Sequence, residues 1–203
     1  MKIICIGRNY AKHAKELGND VPTEPVFFLK PDTAISPKGH PFFIPDFTSN
    51  VHYEVELVVK INRLGKHIEE RFAHKYYSEI GLGIDFTARD IQEEVKAKGL
   101  PWEKAKGFDG SAVLSRIFIP KEELDINNIG FSLTKNGGTV QDGNSSDMLF
   151  NFDKIIAYIS QFYTLKIGDL IYTGTPAGVG QVQNGDTLEG FIEDRQMFKV
   201  NVK

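Results

Sequence analysis

The sequence predicts a β-rich α+β protein. Short apolar, strand-like runs recur along its 203 residues, whereas only three segments have helical patterns. No repeat, low-complexity segment or long Ser/Pro-rich linker divides the chain, and a chain of this length is expected to build one well-buried core. We therefore expect a single domain over residues 1–203 with the architecture of a sandwich, roll or barrel, and not a doubly wound sheet.

Seven segments have the composition of strands, because they are rich in β-branched and aromatic residues and end at Gly, Pro or polar clusters. In chain order they are KIICI at 2–6, VFFL at 26–29, VELVVKI at 55–61, IGFSLTK at 129–135, DLIYT at 169–173, TLEGFIE at 187–193 and MFKVNV at 197–202. Asn136 and Gly137 tolerate positive φ and predict a hairpin turn after the fourth segment. The tripeptide DRQ at 194–196 predicts a turn between the last two.

Helical patterns occupy three segments. Residues 151–162 begin with a capping Asn151 and carry a stripe of apolar residues that predicts a core-facing side. The stripe consists of Phe152, Ile155, Ile156, Ile159 and Phe162. Residues 87–99 predict a helix with Thr87 as its N-cap and a glycine at its end. Residues 9–18, NYAKHAKELG, end at Gly18 and are too short for a helix that is stable in isolation, which favours a mobile segment.

Composition excludes several classes of function. The net charge of -3 and the pI of about 6.0 provide no general attraction to nucleic acid or anionic lipid. Cys5 is the only cysteine, so an intramolecular disulfide and a thiolate metal cluster are both excluded. The apolar stretch IICI near the start is too short for a signal-peptide core, and no run of about 18 apolar residues occurs. We expect a soluble cytoplasmic protein without nucleic-acid or membrane partners.

The segment VHYEVEL, residues 51–57, places two glutamates on one face of a predicted strand. Alternate side chains of an extended chain share a face, so Glu54 and Glu56 are expected about 7 Å apart. Neighbouring carboxylates that are partly buried require a proton, a basic partner or a bound cation. Asp85 ends an apolar run and adds a third carboxylate, which would complete an all-oxygen site for Mg²⁺ or Mn²⁺. The alternative is that the glutamates face solvent and Asp85 marks a helix entry.

Two further pairs are candidates for chemistry. His13 and Glu16 are three residues apart on the first short helix, where the carboxylate would orient the imidazole as a general base acting on water. The alternative is an ordinary surface ion pair. Arg89 and Gln92 share a helix face by the same spacing and would hold a substrate carboxylate. The alternative is a solvated charged helix, which the run RDIQEEVKAK favours.

Two loops complete the candidate set. Lys106 precedes a glycine in EKAKGFDG and would neutralise oxyanion charge, or it is simply solvated. The Gly-rich segment YTGTPAGVGQ, residues 172–181, lacks the Gly-Lys-Ser/Thr of a phosphate-binding loop. Its backbone N–H groups at Gly174 and the Thr175 side chain would bind a carboxylate, or the segment is a strand-to-strand turn.

Six ordered motifs resemble the fumarylacetoacetate hydrolase family. They are CIGRNYAKHAKELG, EPVFFLKP, HYEVEL, DFTARDIQ, LPWEKAKGFDGSAVLS and GDLIYTGTPAGVGQVQNGD, and they extend from about residue 3 to the C-terminus. The chain is most similar to the short, single-domain branch that includes acylpyruvate hydrolases and oxaloacetate decarboxylases. The resemblance implies a mixed β-roll of the fumarylacetoacetase catalytic-domain type with a few short helices, assembled as a homodimer.

The same resemblance assigns roles by motif position. It implies one Mg²⁺ or Mn²⁺ ion per chain, a catalytic dyad on a lid helix within residues 1–20, a catalytic lysine, and a set of substrate-binding residues. The metal ligands would be Glu54, Glu56 and Asp85, the dyad His13 and Glu16, the lysine Lys106, and the substrate-binding residues Arg89, Gln92, Thr175 and Gly174. Lys30 also matches a family motif, without an assigned role.

The implied activity is hydrolysis of a carbon–carbon bond in a small 2,4-dioxo acid, an acylpyruvate, to release pyruvate and a carboxylic acid. Water activated by His13 and Glu16 would attack the distal carbonyl. Three alternatives stay open: an oxaloacetate decarboxylase, which needs no attacking water; an isomerase or hydratase of dienoic 2-oxo acids; and a catalytically silent metal-binding protein.

Overall fold

The computed structural model describes residues 1–16 and 20–203. The strands are β1 Ile3–Gly7, β2 Val26–Lys30, β3 Val51–Tyr53, β4 Val55–Ile61, β5 Tyr77–Asp85, β6 Thr87–Ala88, β7 Ala112–Leu114, β8 Ile119–Pro120, β9 Gly130–Lys135, β10 Gly138–Asn144, β11 Leu170–Tyr172, β12 Gly180–Gln181, β13 Thr187–Ile192 and β14 Arg195–Asn201. The α-helices are α1 Ala11–Glu16, α2 Glu70–Ala73, α3 Arg89–Ala97, α4 Glu103–Lys106 and α5 Phe152–Phe162. None of these helices has the length and apolar character needed to cross a membrane.

Three sheets make up the fold. The largest has the order β2-β1-β11-β4-β5-β7, with β8 also paired to β5. Its β1 and β11 are parallel, whereas its other neighbouring strands are antiparallel, so the sheet is mixed. The smaller sheets, β10-β9-β13-β14 and β12-β3-β6, are antiparallel. The strand-rich α+β class with few short helices is confirmed.

The central strands are buried on both faces. Every residue of β4 except Lys60 is buried. One face packs into a core with the four-stranded sheet and the long helix α5, and Val58 on the other face belongs to a second, smaller cluster. On β13 the burial alternates instead, with Leu188, Gly190 and Ile192 inside, as expected of a strand with one face toward a core. Polar side chains at the ends of the central strands are consequently buried from solvent.

Two predicted helices differ in detail from the structure. Asn151 caps α5 as predicted, since its Oδ1 accepts from the Lys154 N–H at 2.9 Å, but Phe162 is 53% exposed and is not part of the core stripe. Phe162 lies in the last turn, where its ring packs against Tyr158 near the surface. The predicted N-cap of α3 is wrong, because Thr87 belongs to β6 and its hydroxyl accepts from Lys106 Nζ at 2.6 Å. The predicted end of the first helix at Gly18 lies outside the described residues.

The two predicted hairpin turns also have different outcomes. Asn136 and Gly137 both have positive φ, 54° and 84°, and form the two-residue turn between β9 and β10 as predicted. The last turn lies one residue earlier than predicted, because Ile192 pairs with Arg195 and leaves Glu193 and Asp194 as the turn. Glu193 also exchanges hydrogen bonds of 2.9 Å with the neighbouring β9, which holds the turn at this position.

Asp169, directly before β11, forms hydrogen bonds and an ion pair with Lys2, directly before β1. Its buried carboxylate accepts the backbone N–H groups of Lys2 and Lys166, each at 2.8 Å, and lies 2.5 Å from Lys2 Nζ. Burial would raise the pKa of Asp169, but the hydrogen bonds from Lys2 and Lys166 hold it below its ordinary value. The ionised side chain therefore stabilises the fold.

We expect Asp169→Asn to lower the free energy of unfolding by about 1–3 kcal/mol at pH 7, because the amide accepts fewer hydrogen bonds and loses the ion pair. A depressed folded-state pKa contributes stability above the unfolded value of about 3.9 and loses it as the pH falls through the folded pKa. Urea unfolding at pH 7 and pH 3 measures the difference, which should shrink at pH 3. Asp46→Asn, at an exposed aspartate, is the control.

Candidate active site

Three buried carboxylates meet where β4 begins and β5 ends. Glu54 lies at the break between β3 and β4, Glu56 follows in β4, and Asp85 is the last residue of β5. The Asp85 N–H donates to the Glu54 carbonyl at 2.9 Å, which fixes the two strand ends together. Each side chain offers one oxygen, and these oxygens all lie within 4.8 Å of one another. The glutamates do not face solvent, since Glu54 and Glu56 are 6% and 1% exposed.

Basic side chains compensate two of the three carboxylates. Lys106 Nζ lies 2.8 Å from Glu54 Oε2 and 2.7 Å from Asp85 Oδ2. Lys30 Nζ lies 2.6 Å from Asp85 Oδ1, and Arg89 Nη2 forms a further ion pair with Glu54 Oε1. Glu56 differs, because among the described residues no cation forms an ion pair with it. Its Oε2 accepts the Gly174 N–H at 2.7 Å.

The pKa values follow this distribution of charge. Burial, together with repulsion from Asp85 and Glu54, raises the pKa of Glu56 well above its ordinary value. Burial opposes ionisation of Glu54 as well, but Lys106 and Arg89 outweigh it and lower the Glu54 pKa. Converging carboxylate oxygens with one carboxylate uncompensated are a donor set that suits a hard divalent cation. The residues present therefore fit Mg²⁺ or Mn²⁺.

Lys106 is held as an ammonium beside this cluster. It ends the short helix α4, and besides its two ion pairs it donates to the Thr87 hydroxyl. Burial would lower the pKa of Lys106, but Asp85 and Glu54 raise it above the ordinary value. An ammonium at this position would stabilise negative charge in the cavity.

Lys30 is the support that holds Lys106 in place. Its ammonium donates to the Lys106 carbonyl, to the Ser111 carbonyl at 3.2 Å and to Ser111 Oγ at 3.0 Å. The ammonium is fully buried, so these bonds replace its hydration. Sequence reasoning matched Lys30 to a motif without a role. A lysine that ends the apolar strand VFFLK, directly before a proline, is the local signal that could have identified it.

The His13–Glu16 pair forms on α1. His13 Nδ1 lies 3.0 Å from Glu16 Oε2, and His13 is only 5% exposed. The Gly178 N–H donates to the Glu16 carboxylate at 3.2 and 3.3 Å, which ties α1 to the Gly-rich loop after β11. With Nδ1 donating to Glu16, the other ring nitrogen, Nε2, is the basic one. This arrangement is that of an oriented imidazole, and the predicted contact between the two residues is present.

One cavity brings these groups together. It is lined by Ile6, Gly7, Arg8, His13, Phe28, Glu54, Glu56, Asp85, Arg89, Gln92, Lys96, Trp102, Lys106 and Thr175. Eight of the ten predicted site residues belong to this set, and the other two, Glu16 and Gly174, contact members of it. Gly174 differs from the prediction, because its N–H is used by Glu56 instead of facing a substrate. Arg89 donates to Gln92 Oε1 at 2.5 Å in addition to its ion pair with Glu54.

Gln141 positions the site, although sequence reasoning did not identify it. Its Nε2 donates to Thr175 Oγ1 at 2.8 Å and to the Pro176 carbonyl at 3.0 Å, while its Oε1 accepts the Val55 N–H at 2.9 Å. The side chain thereby joins the Gly-rich loop to the peptide between the two glutamates. Gln141 lies in β10, 86 residues from Val55, and no local pattern marks it.

A β-rich fold with a buried Glu-Glu-Asp cluster beside an oriented histidine defines a class of candidate metal-dependent enzymes. A family model described as fumarylacetoacetate (FAA) hydrolase C-terminal matches residues 2–202. The chain belongs to this family.

Three similar proteins bear on the activity. The oxaloacetate tautomerase of Mus musculus, named as mitochondrial, is 45% identical over 202 residues, which cover 99% of this chain and 91% of the relative. The mitochondrial oxaloacetate decarboxylase of Dictyostelium discoideum is 45% identical over 190 residues, with 93% and 87% covered. The crystal structure of fumarylpyruvate hydrolase from Pseudomonas aeruginosa in complex with Mn²⁺ and pyruvate aligns with a TM-score of 0.93 and 35% identity, covering 100% of this chain and 89% of that one.

Proposed function

We propose that this chain is a divalent-metal-dependent enzyme that acts on oxaloacetate through its enol form and interconverts the keto and enol tautomers. The observation that carries the proposal is the uncompensated Glu56 within a buried carboxylate cluster, in the same cavity as the oriented His13. A metal that binds a 2-oxo acid and a base that moves a carbon-bound proton are the two requirements of enolisation. The names of the mouse and Dictyostelium relatives support oxaloacetate as the substrate.

Each group has a separate task in this proposal. Glu54, Glu56 and Asp85 hold the cation, which would supply Lewis-acid stabilisation of the developing negative charge on the substrate oxygen. His13 takes the proton from the carbon next to the keto group, the C–H electron pair forms the carbon–carbon double bond, and the resulting enolate oxygen takes up a proton from solvent to give the enol. The reverse direction returns the carbon proton from His13 and releases the oxygen proton to solvent. Glu16 orients the imidazole through its hydrogen bond with Nδ1. Lys106 remains an ammonium and contributes positive charge beside the same oxygen.

Cleavage of a carbon–carbon bond is the second candidate. Loss of carbon dioxide from oxaloacetate, or attack of water on an acylpyruvate, would leave pyruvate through the same enol chemistry. The His13–Glu16 pair favours the water-dependent reaction, because an oriented imidazole is suited to activate water. The likeness to a fumarylpyruvate hydrolase also supports this candidate. A homodimer with one Mg²⁺ or Mn²⁺ per chain, located in the cytoplasm, completes the proposal.

The test compares three reactions of the purified protein with Mg²⁺, with Mn²⁺ and with EDTA. Loss of the ultraviolet absorbance of enol-oxaloacetate reports tautomerisation, pyruvate formation reports decarboxylation, and loss of acetylpyruvate reports hydrolysis. Metal without protein is the control, since free divalent ions accelerate enolisation. We expect tautomerisation to have the highest kcat/KM and EDTA to abolish it.

Two results would contradict the proposal. A higher kcat/KM on acetylpyruvate would identify the protein as a hydrolase. Absence of all three activities, in a protein whose melting temperature still rises with Mg²⁺, would identify a silent metal-binding protein.

A further inference from the structure

Arg8 has an unusual backbone conformation at the edge of the candidate active site. Its φ is 60°, in the left-handed region that glycine and asparagine tolerate and other residues rarely adopt. It is the residue directly after β1, and it lines the same cavity as His13, Glu56 and Lys106. Strained residues that persist in cavities are held there by their surroundings and often serve a function.

The neighbours of Arg8 enforce this conformation. On one side, Gly7 is paired with Val26 of β2. On the other, the fully buried Asn9 donates to the Phe150 carbonyl at 3.0 Å and to the Thr173 carbonyl at 2.8 Å, and accepts the Phe150 N–H at 2.8 Å. The chain therefore bends at Arg8 between two fixed points. A glycine would meet this need without strain, yet the sequence has an arginine.

The charge of Arg8 is also uncompensated. The cavity-lining Lys106 and Arg89 are both engaged in ion pairs with the carboxylate cluster. Arg8 forms no ion pair or hydrogen bond with the described residues, a set that leaves out 17–19 and the side chains of 14 and 15. Its guanidinium group offers a planar fork of donors that matches a carboxylate.

We propose that Arg8 is a specificity-determining residue that binds the second carboxylate of a dicarboxylic 2-oxo acid. This inference rests on the proposed function, in which the metal would bind the 2-oxo acid end of the substrate. Arg8 then distinguishes a dicarboxylate such as oxaloacetate from a monocarboxylate such as pyruvate. The positive φ at Arg8 is the cost of placing a long basic side chain at this bend.

Binding of two unreactive 2-hydroxy acids tests the assignment without turnover. Racemic malate and racemic lactate share the chelating head group, and only malate has a second carboxylate. Isothermal titration in saturating Mg²⁺ should show that the wild-type protein binds malate at least tenfold more tightly than lactate. In Arg8→Asn the ratio should fall to about two or less with lactate affinity unchanged, because asparagine tolerates positive φ and removes the charge. Arg8→Lys should give an intermediate ratio.

A matched variant separates the charge of Arg8 from its backbone. His67 also has positive φ, 51°, but is exposed and does not line the cavity. His67→Asn should leave the malate-to-lactate ratio unchanged, whereas both asparagine variants should retain or raise the wild-type melting temperature, since strain is relieved. Equal weakening of malate and lactate in Arg8→Asn, together with a lower melting temperature, would show a merely structural role and overturn the proposal.

Turnover supplies the second readout. For oxaloacetate we expect Arg8→Asn to raise KM at least tenfold with kcat changed less than threefold. A malate-to-lactate ratio near one in the wild-type protein, or a ratio unchanged in Arg8→Asn, overturns the role of Arg8. Failure of the wild-type protein to turn over oxaloacetate, with the Arg8-dependent ratio intact, instead overturns the proposed reaction and supports Arg8 as a dicarboxylate-binding residue.

Discussion

Glu56→Gln is expected to abolish metal-dependent turnover. Glutamine retains the shape of the side chain and an oxygen that accepts the Gly174 N–H, but it removes the carboxylate that no described cation compensates. Loss of one charged ligand removes Lewis-acid stabilisation worth several kcal/mol, so we expect kcat/KM to fall by about 10³-fold or more. The rise of melting temperature with Mg²⁺, measured by differential scanning fluorimetry, should disappear in the same variant.

Without metal, the same substitution should stabilise the fold at neutral pH. Burial and the carboxylates of Asp85 and Glu54 raise the folded-state pKa of Glu56, so the folded protein binds a proton that the unfolded chain releases above about pH 4.3. The stability of the metal-free wild type therefore falls as the pH rises from this value through the folded pKa, whereas Glu56→Gln lacks this slope. Urea unfolding in EDTA at pH 5 and pH 8 measures this pH dependence of the free energy of unfolding in both proteins.

A control variant identifies effects that are specific to the site. Glu79 lies on β5 outside the cavity, where it pairs with Lys60, and Glu79→Gln should behave as the wild type does in both turnover and Mg²⁺ response. Retention of the Mg²⁺-dependent rise in melting temperature by Glu56→Gln would show that Glu56 is not a ligand.

His13→Ala is expected to separate the candidate reactions. Tautomerisation and acylpyruvate hydrolysis both require a base, and removal of a general base lowers the rate by about 10²–10⁴-fold. Decarboxylation of oxaloacetate needs no base to break its carbon–carbon bond, so its kcat should fall less than about tenfold. The Mg²⁺-dependent rise in melting temperature should be retained, because His13 is not one of the proposed metal ligands. Steady-state assays of the three reactions measure the loss of kcat in each.

Two further variants serve as comparisons for His13→Ala: one tests the charge of Glu16 and the other is a histidine control. Glu16→Gln keeps an acceptor for the His13 Nδ1–H but removes the negative charge, so an intermediate loss is expected for the base-dependent reactions. His52 hydrogen-bonds to Asn50 at 2.9 Å and does not line the cavity, which makes His52→Gln a matched histidine control. Equal losses of all three activities in His13→Ala would contradict a division of roles based on the His13 base.

The local parts of the fold were predictable from sequence. The capping Asn151, the Asn136–Gly137 turn and the His13–Glu16 contact each depend on residues within four positions of one another, where backbone geometry decides which atoms meet. Errors arose where a distant partner competes with the local pattern. Thr87 has the chemistry of an N-cap, but its hydroxyl is used by Lys106, 19 residues away.

The sequence by itself determined the strand-rich class, and it predicted the three carboxylates and the histidine that the structure brings to one cavity. Only the tertiary structure decided which basic residues neutralise the negative charges of these carboxylates. Lys30 and Lys106 reach Asp85 from separate elements, and Glu56 forms no ion pair with a cation among the described residues. Gln141 joins the Gly-rich loop to β4 across 86 positions. Residue spacing reports which side chains share a face of one element, whereas burial and charge pairing depend on which elements pack together, and this is a property of the whole chain.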